Sequence, residues 1–270
     1  MIKIKTILLS ALILAFGIFS SCDDNGDFLL FSVQDDIDLG QQVAAEIASD
    51  PETYPILSET QYPEAYAYLE GMMDEILSSS SVTYRNEFPW KINIIDQDVL
   101  NAFATPGGQI YVYTGLIYFL DTEDDLAGVI GHEIAHADQR HSSKQLQKSQ
   151  GISVLLAILT GENSGALTEV VTQVAGGLAA LKFSRDDEAE ADDFSVEYLA
   201  DTDYACNGAA SFFEKLLDNE EGFNPEFLST HPSPDNRVAD INAKADEEGC
   251  DTTVDDGADD RYVAFQAFLP

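Results

Sequence analysis

Basic residues are scarce in this chain, and that scarcity limits the partners it can bind. Thirteen lysines and arginines face 49 aspartates and glutamates, which gives a formal net charge of −36 over 270 residues. Such a surface repels the phosphates of nucleic acids and of anionic lipids, so neither is expected as a partner. Solubility and resistance to aggregation are the simplest account of this charge. Hydrophobic residues make up 45% of the chain, which is enough to build a core.

Long hydrophobic runs are missing as well. The run from Ile7 to Phe19 has 13 residues, which is too short to cross a hydrocarbon layer of about 30 Å. Two lysines precede it and Ser20-Ser21-Cys22 follows it, a pattern that predicts a signal peptide over residues 1–21. The ending resembles a bacterial lipobox, after which Cys22 would become a lipid-modified N-terminus. Ordinary cleavage near Ser21, with a free Cys22, is the alternative.

The chain after the signal is expected to form one domain on a short tether. We predict an acidic tether over 22–33 and a domain over 34–270, divided into N-terminal helices (34–80), a core (about 90–245) and a C-terminal tail (246–270). The apolar segments 152–159 and 166–181 fall short of the roughly 18 residues of a membrane span, so we predict core helices there. The membrane would be reached through the N-terminal lipid only. This places the protein in the bacterial cell envelope, on the periplasmic face of the outer membrane or on the cell surface.

Cysteine is rare, with three copies in the chain. If Cys22 carries lipid, Cys206 and Cys250 remain as a pair in an oxidising compartment. Their disulfide would close a loop that stabilises the fold by about 3–4 kcal/mol. Two unpaired thiols are the alternative.

Histidine is rarer than in most chains of this length, yet it is concentrated. Three of the four histidines lie within 132–141. His132 and His136 are four residues apart, so on a helix they share one face and could grip one metal ion. Glu133 lies beside the first of them, where a carboxylate could reach a water molecule on that metal. His141 lies about 140° further around a continuous helix, so we expect it to point away as a structural or capping residue.

A catalytic zinc needs a third protein ligand, and an acidic segment downstream offers candidates. In a helix that begins after Arg185, Glu188 and Asp192 share one face at a spacing of four. Glu190 lies about 200° from Glu188 and is expected to face solvent. By spacing alone, a solvated acidic face explains this segment equally well.

Apolar periodicity predicts an α+β fold that is mostly helical. Two strong signals support the assignment: acids crowd the start of the histidine-bearing helix, and Pro106-Gly107-Gly108 marks a turn. The predicted helices cover 35–49, 63–77, about 122–140 and 185–200, and the predicted strands cover 90–95, 103–104 and 110–113.

Four motifs follow one another in a fixed order. They are Asn101-Ala102-Phe103-Ala104-x-Pro106-Gly107-Gly108, His132-Glu133-Ile134-Ala135-His136, Ser184-Arg185-x-x-Glu188-x-x-Ala191-Asp192 and Thr230-His231-Pro232-x-x-x-x-Arg237. Together they resemble metallopeptidase family forty-eight, the group of CAAX prenyl proteases and HtpX- and BepA-type enzymes. The resemblance covers roughly residues 39–245. The chain shows neither the membrane-spanning segments of some members nor tetratricopeptide repeats, so a lipidated CAAX substrate and repeat-mediated partner binding are not expected.

The resemblance implies a gluzincin domain with one zinc ion per chain. His132, His136 and Glu188 would be the metal ligands, and Glu133 the general base. Asp192 would orient a ligand histidine, which matches the need to fix the imidazole tautomer. A polypeptide is the implied substrate.

His231 admits two interpretations. It lies in a proline-containing segment without helical pattern, so it belongs to a loop. It could donate to the oxyanion, with Arg237 in support, or it could occupy the fourth position of the zinc in a latent enzyme.

The substrate is expected to pair with an edge strand of the sheet. We predict that Gly108, Ile110, Tyr111 and Val112 form this strand, so that the enzyme prefers extended or misfolded chains. A chaperone-like binder with little proteolysis is the alternative, although such a protein has no need of Glu133. A structural zinc domain would need four closed ligands, the fourth from His231. The sequence predicts no oligomeric state.

Overall fold

The computed structural model describes most of the chain from residue 31 onwards. The described residues are 31–151, 182–218, 236–253 and 258–270, with short stretches at 21–22, 28–29, 227–228 and 231–232 and scattered positions between 153 and 169. Nearly all of the predicted signal peptide, most of the tether and most of the apolar segments 152–159 and 166–181 lie outside these residues.

The described fold is mostly helical, with a three-stranded sheet and a short two-stranded antiparallel pair formed by Ser21–Cys22 and Phe28–Leu29, which confirms the predicted α+β class. The strands are β1 (Ser21–Cys22), β2 (Phe28–Leu29), β3 (Lys91–Ile95), β4 (Ala102–Thr105) and β5 (Gln109–Tyr113). The helices are α1 (Val33–Ser49), α2 (Pro63–Leu77), α3 (Thr114–Phe119), α4 (Glu123–Asp138), α5 (His141–Gln150), α6 (Arg185–Leu199), α7 (Gly208–Asp218), α8 (Arg237–Glu248) and α9 (Ala258–Gln266).

Helices α1, α4 and α6 begin with the same local device. A serine or threonine side chain accepts from the backbone N–H of an aspartate three residues later, and that carboxylate accepts from the N–H of the capping residue. The exchange satisfies N–H groups that have no partner inside the helix. The pairs are Ser32 with Asp35, Thr122 with Asp125, and Ser184 with Asp187. These caps fix where the helices that bear the candidate site begin.

The main sheet has the order β3-β5-β4, with β5 parallel to β3 and antiparallel to β4. The prediction that Gly108 and Ile110–Val112 form the substrate-facing edge is therefore wrong, because β5 is paired on both sides. The reason is the turn before it: Gly107 and Gly108 adopt φ values of 75° and 84° and fold β4 back along β5. The outer strand that packs on α4 is β4.

The sheet separates two apolar clusters. On one face Ile110 and Val112 pack with α2, α4 and α6, and on the other Tyr111 and Tyr113 pack with α1. Helix α4 is buried along its whole length. Gly128 lets α7 approach closely, because a Cβ there would lie 2.1 Å from the backbone N of Ala209. The histidine-bearing helix is thus the central element of the domain.

Two further features bear on the predictions. Cys206 and Cys250 form a disulfide, which joins the segment just before α7 to the second residue after α8. Among the described helices, none combines the length and the apolar character that a membrane crossing would require.

Candidate metal centre

Helix α4 and the first turn of α6 bring three side chains to one point, where His231 from outside both helices joins them. The Nε2 atoms of His132 and His136, one turn apart, lie 2.9 Å from each other. Glu188 lies with Oε1 3.4 Å from Nε2 of His136 and Oε2 3.5 Å from Nε2 of His132. His231 completes the group, its Nδ1 3.0 Å from Oε1 of Glu188. One ligand atom from each of the four lies within 4.8 Å of the others.

This arrangement fits a divalent metal ion. Two imidazoles and a carboxylate are the donor set of a catalytic zinc with an open position. Among the described residues, both carboxylate oxygens of Glu133 are buried without a hydrogen-bond partner, and the carboxylate of Glu188 is buried between the two histidines. Buried carboxylates without compensation are costly, and a cation at the shared point would compensate them.

The electrostatics of the group favour a cation as well. Burial alone would lower the pKa of His132, but hydrogen bonds to Asp192 and Glu188 outweigh it and raise that pKa to about 9. Burial and the neighbouring His132 lower the pKa of His136 well below its ordinary value. Burial opposes ionisation of Glu188, but the charge of His231 and hydrogen bonds from the histidines hold its pKa well below the usual range. A metal ion would take the place of the proton on His132.

Glu133 lies at the edge of the cluster. Its Oε1 is 3.6 Å from Nε2 of His231, and its side chain is inaccessible to solvent. Burial raises the pKa of this carboxyl group, with the positive charges of His231 and His132 acting in the opposite direction. A carboxylate with a raised pKa is suited to accept a proton near neutral pH.

Behind His132 lies a charged pair. The Nδ1 of His132 is 2.9 Å from Oδ1 of Asp192, and Asp192 also binds Arg237, whose Nε lies 2.6 Å from Oδ2. A second nitrogen of Arg237 lies 3.0 Å from Oε2 of Glu188. The guanidinium also stacks over the ring of Phe213 at 3.7 Å. Asp192 and Arg237 are thus brought to the cluster, where the carboxylate can hold the Nδ1–H of His132 and leave Nε2 free.

Behind His136 lies His141, and the prediction that His141 points away is wrong. The predicted helix to Arg140 ends at Asp138, and Arg140 adopts a left-handed conformation with φ 58°. The helix is interrupted there and α5 begins at His141, whose Nδ1 lies 2.8 Å from Nδ1 of His136. Glu190 does not simply face solvent, because its Oε2 lies 2.9 Å from Nε2 of His141 and its side chain is 27% exposed.

The left-handed conformation of Arg140 is held by contacts that no local sequence pattern predicted. The Nε of Arg140 lies 2.6 Å from Oδ2 of Asp36 on α1, and a terminal nitrogen donates to the carbonyl of Phe31 at 2.7 Å. Ser143 donates to the other oxygen of Asp36 at 2.6 Å. All of these residues are buried. Apolar periodicity over 35–49 indicated the helix that bears Asp36, but no local signal indicated a partner 104 residues away.

His231 sits against the cluster in a closed arrangement. Its ring stacks on Phe227 with centroids 4.3 Å apart, and the N–H of Phe227 donates to the carbonyl of Leu100 just before β4. Phe183 stacks on His136 at 4.0 Å from the other side. The four side chains of the cluster are each at most 1% exposed. A substrate would therefore require this arrangement to open.

The buried His-Glu-x-x-His helix, crossed by a second helix that supplies a glutamate, defines a metallopeptidase domain. The match to family models identifies it further: residues 43–245 match the model described as Peptidase family M48. The chain belongs to peptidase family M48, as its motifs predicted.

Several characterised proteins are similar to this chain. The "Beta-barrel assembly-enhancing protease" of Yersinia pestis is 27% identical over 89% of this chain and 53% of its own length. The protein of the same name from Escherichia coli K12 is 31% identical over 59% of this chain and 35% of its own length. "Metalloprotease LoiP" of Escherichia coli K12 is 29% identical over 78% of this chain and 81% of its own length. The chain thus spans about half or less of the first two relatives.

Proposed function

We propose that this chain is a zinc-dependent endopeptidase of the bacterial cell envelope that cleaves extended or misfolded polypeptides. The observation that carries the proposal is the buried convergence of His132, His136 and Glu188 beside Glu133. A structural zinc domain has no need of an unpaired carboxylate next to its ligands. A general base does need that position.

The proposed chemistry assigns one role to each side chain. His132, His136 and Glu188 would hold one zinc ion per chain, which when bound polarises the scissile carbonyl and makes water more acidic. Glu133 accepts the proton of the attacking water and passes it to the leaving amine. Asp192 orients His132 by accepting from its Nδ1–H, and Arg237 holds Asp192 in place.

We propose that the substrate pairs with β4 and not with β5. The amide of Tyr113 donates to the carbonyl of Asn101 at 3.2 Å. Hydrogen-bonded and non-bonded pairs alternate in an antiparallel ladder, so the backbone groups of Ala102 and Ala104 are directed away from β5. An extended peptide could add to that edge beside α4. This geometry favours unfolded segments over folded proteins.

His231 fits both of its interpretations in the closed arrangement. It lies within reach of Glu188 and of His132, as a fourth ligand would, and near Glu133, as an oxyanion donor would. We propose that it donates to the oxyanion in the open enzyme and can also ligate the metal at rest. The enzyme would then be latent until Phe227 and His231 move away from the cluster.

The proposed location rests on the N-terminal segment and on the relatives. We propose a signal peptide over 1–21, lipid attachment at Cys22, and a domain over 34–270 that reaches the membrane through that lipid only. LoiP and the two "Beta-barrel assembly-enhancing" proteases are bacterial, and removal of misfolded envelope proteins is the physiological role that we propose for this chain.

The decisive experiment uses Glu133→Gln in the mature protein with unfolded casein as the substrate. The amide keeps the shape of the side chain but accepts no proton, so we expect bound zinc to remain and cleavage to fall by several orders of magnitude. Wild-type protein treated with a chelator is the second arm, and it should lose cleavage and regain it with zinc. Cleavage by Glu133→Gln at the wild-type rate would refute the proposal. Wild-type protein that binds casein without cutting it would instead favour a chaperone-like binder.

A further inference from the structure

The metal-facing histidine His136 has another histidine behind it where His132 has a carboxylate. Two contacts in series lead outward from the cluster: Nδ1 of His136 to Nδ1 of His141 at 2.8 Å, and Nε2 of His141 to Oε2 of Glu190 at 2.9 Å. We propose that His141 and Glu190 are positioning residues that fix the ring and the tautomer of His136 for metal binding. This inference rests on the proposed function.

The direction of each hydrogen bond follows from the two ends of the series. An ionised Glu190 carboxylate only accepts, so Nε2 of His141 carries the proton that it receives. The Nδ1 of a neutral His141 then has a free lone pair and accepts from Nδ1–H of His136. Nε2 of His136 is left without a proton, and it is this atom that faces Glu188 and His132. The carboxylate of Glu190 thereby selects the metal-binding tautomer of a ring that it does not touch.

The opposite placement of protons on His141 and His136 would prevent His136 from binding a metal. If His141 donated from Nδ1, Nδ1 of His136 would have to accept. The proton of His136 would then lie on its own Nε2. That proton would point at the metal ligands. A buried His141 that carries a second proton would also place a charge next to the metal cation. The contacts are therefore compatible with one assignment of protons when a cation is bound.

The backbone holds His141 in this position. The left-handed Arg140 separates α4 from α5, and its buried ion pair with Asp36 fixes this conformation. The ring of His141 is inaccessible to solvent, whereas Glu190 lines a surface cavity of about 560 Å³ that also includes Lys144 and Lys148. Helix α6 thus supplies both a ligand, Glu188, and the outer end of the series, two residues later.

The test compares substitutions at His141 that keep or remove the acceptor. In His141→Phe the ring remains but no atom accepts from His136. In His141→Asn the side-chain oxygen can occupy the place of Nδ1. Zinc affinity is measured by competition with a chromophoric chelator, and the absorption spectrum of the cobalt-substituted protein reports ligand geometry. We expect His141→Phe to bind zinc about 10- to 100-fold more weakly, with an altered cobalt spectrum, and His141→Asn to stay near the wild type.

A second pair of variants tests the outer end with a matched control. Glu190→Ala removes the acceptor of His141, whereas Asp186→Ala removes the same charge one turn earlier on the same face, at the same cavity. We expect weaker zinc binding and a changed cobalt spectrum in Glu190→Ala but not in Asp186→Ala. Because Glu190 is partly exposed, its substitution disturbs folding less. This pair of variants therefore still tests the inference if His141→Phe does not fold.

The outcomes separate this inference from the proposed function. Wild-type zinc affinity and an unchanged cobalt spectrum in His141→Phe or Glu190→Ala would overturn the inference alone. Equal losses in His141→Asn and His141→Phe would also overturn it, since ring packing would then be what matters. Wild-type protein that neither binds zinc nor cleaves casein would refute the proposed function itself.

Discussion

His132 and His136 occupy the same face of one helix, one turn apart, yet their outer surroundings differ in kind. His132 backs onto the charged pair of Asp192 and Arg237, and its pKa is raised to about 9. His136 backs onto the imidazole of His141, with the carboxylate of Glu190 one ring further out, and the pKa of His136 is lowered well below normal by burial and by His132. A metal ion must displace a proton to bind His132, whereas His136 is already neutral. Equal spacing along a helix therefore does not give two equal ligands.

The largest effect is expected from Glu188, because this carboxylate contacts both histidines. Glu188→Ala removes a proposed ligand and should remove most of the bound zinc, a greater loss than the roughly 10- to 100-fold typical of residues that only orient a ligand. Zinc content after dialysis, measured by mass spectrometry, checks this. Full zinc retention would shift the third-ligand assignment to His231, the other member of the cluster.

Next in size is the effect of His231, which touches the His132 side of the cluster but belongs to neither helix. His231→Ala should retain zinc and lose about 10²–10³ in kcat on a short unstructured peptide, as expected for one oxyanion donor. An increase in activity would show that ligation at rest is its main role. Unchanged zinc, unchanged kcat and no lag would place His231 outside the mechanism.

A smaller effect separates the two outer surroundings directly. Asp192→Ala should weaken zinc binding about 10- to 100-fold, as His141→Phe should. Asp192→Ala should also destabilise the metal-free protein, by up to about 3–5 kcal/mol, because it deprives the buried Arg237 of a partner. Urea denaturation of both apo variants is the measurement. Equal apo stabilities would show that the charged pair and the imidazole do not differ in this way.

Cys22→Ser is expected to leave the metal centre unchanged, so it serves as a control outside the site. We expect unchanged kcat and zinc content in the mature protein, while partitioning shifts from detergent to the aqueous phase or processing stops. A correctly processed variant that still partitions into detergent would show that another segment attaches the protein to the membrane.

Local patterns predicted the parts of the site that local forces determine. The spacing of His132 and His136 and the position of Glu188 in the first turn of α6 follow from helix geometry. Their catalytic roles stay predictions. The β-branched and aromatic residues of 110–113 predicted the strand β5 but not its neighbours, because composition does not say which strand lies beside it.

What the sequence did not reveal depends on contacts between distant residues. The helix was expected to continue to Arg140, since no glycine or proline marks its end. It ends because Arg140 reaches Asp36 on α1, and that pair compensates a left-handed conformation that only a few non-glycine residues adopt. The position of His141 follows from this pair. A substitution at Asp36 would thus be felt at a histidine that it does not contact.

The pairing of Asp36 with Arg140 also bears on how the protein acquires its metal. Asp36 and Arg140 are 104 residues apart, and His132 and Arg237 are 105 apart. Contact order this high means that long loops must close, at an entropic cost, before these side chains meet. An unfolded chain has no preformed centre to load. Zinc would be taken up by the folded domain, from the compartment in which folding is completed.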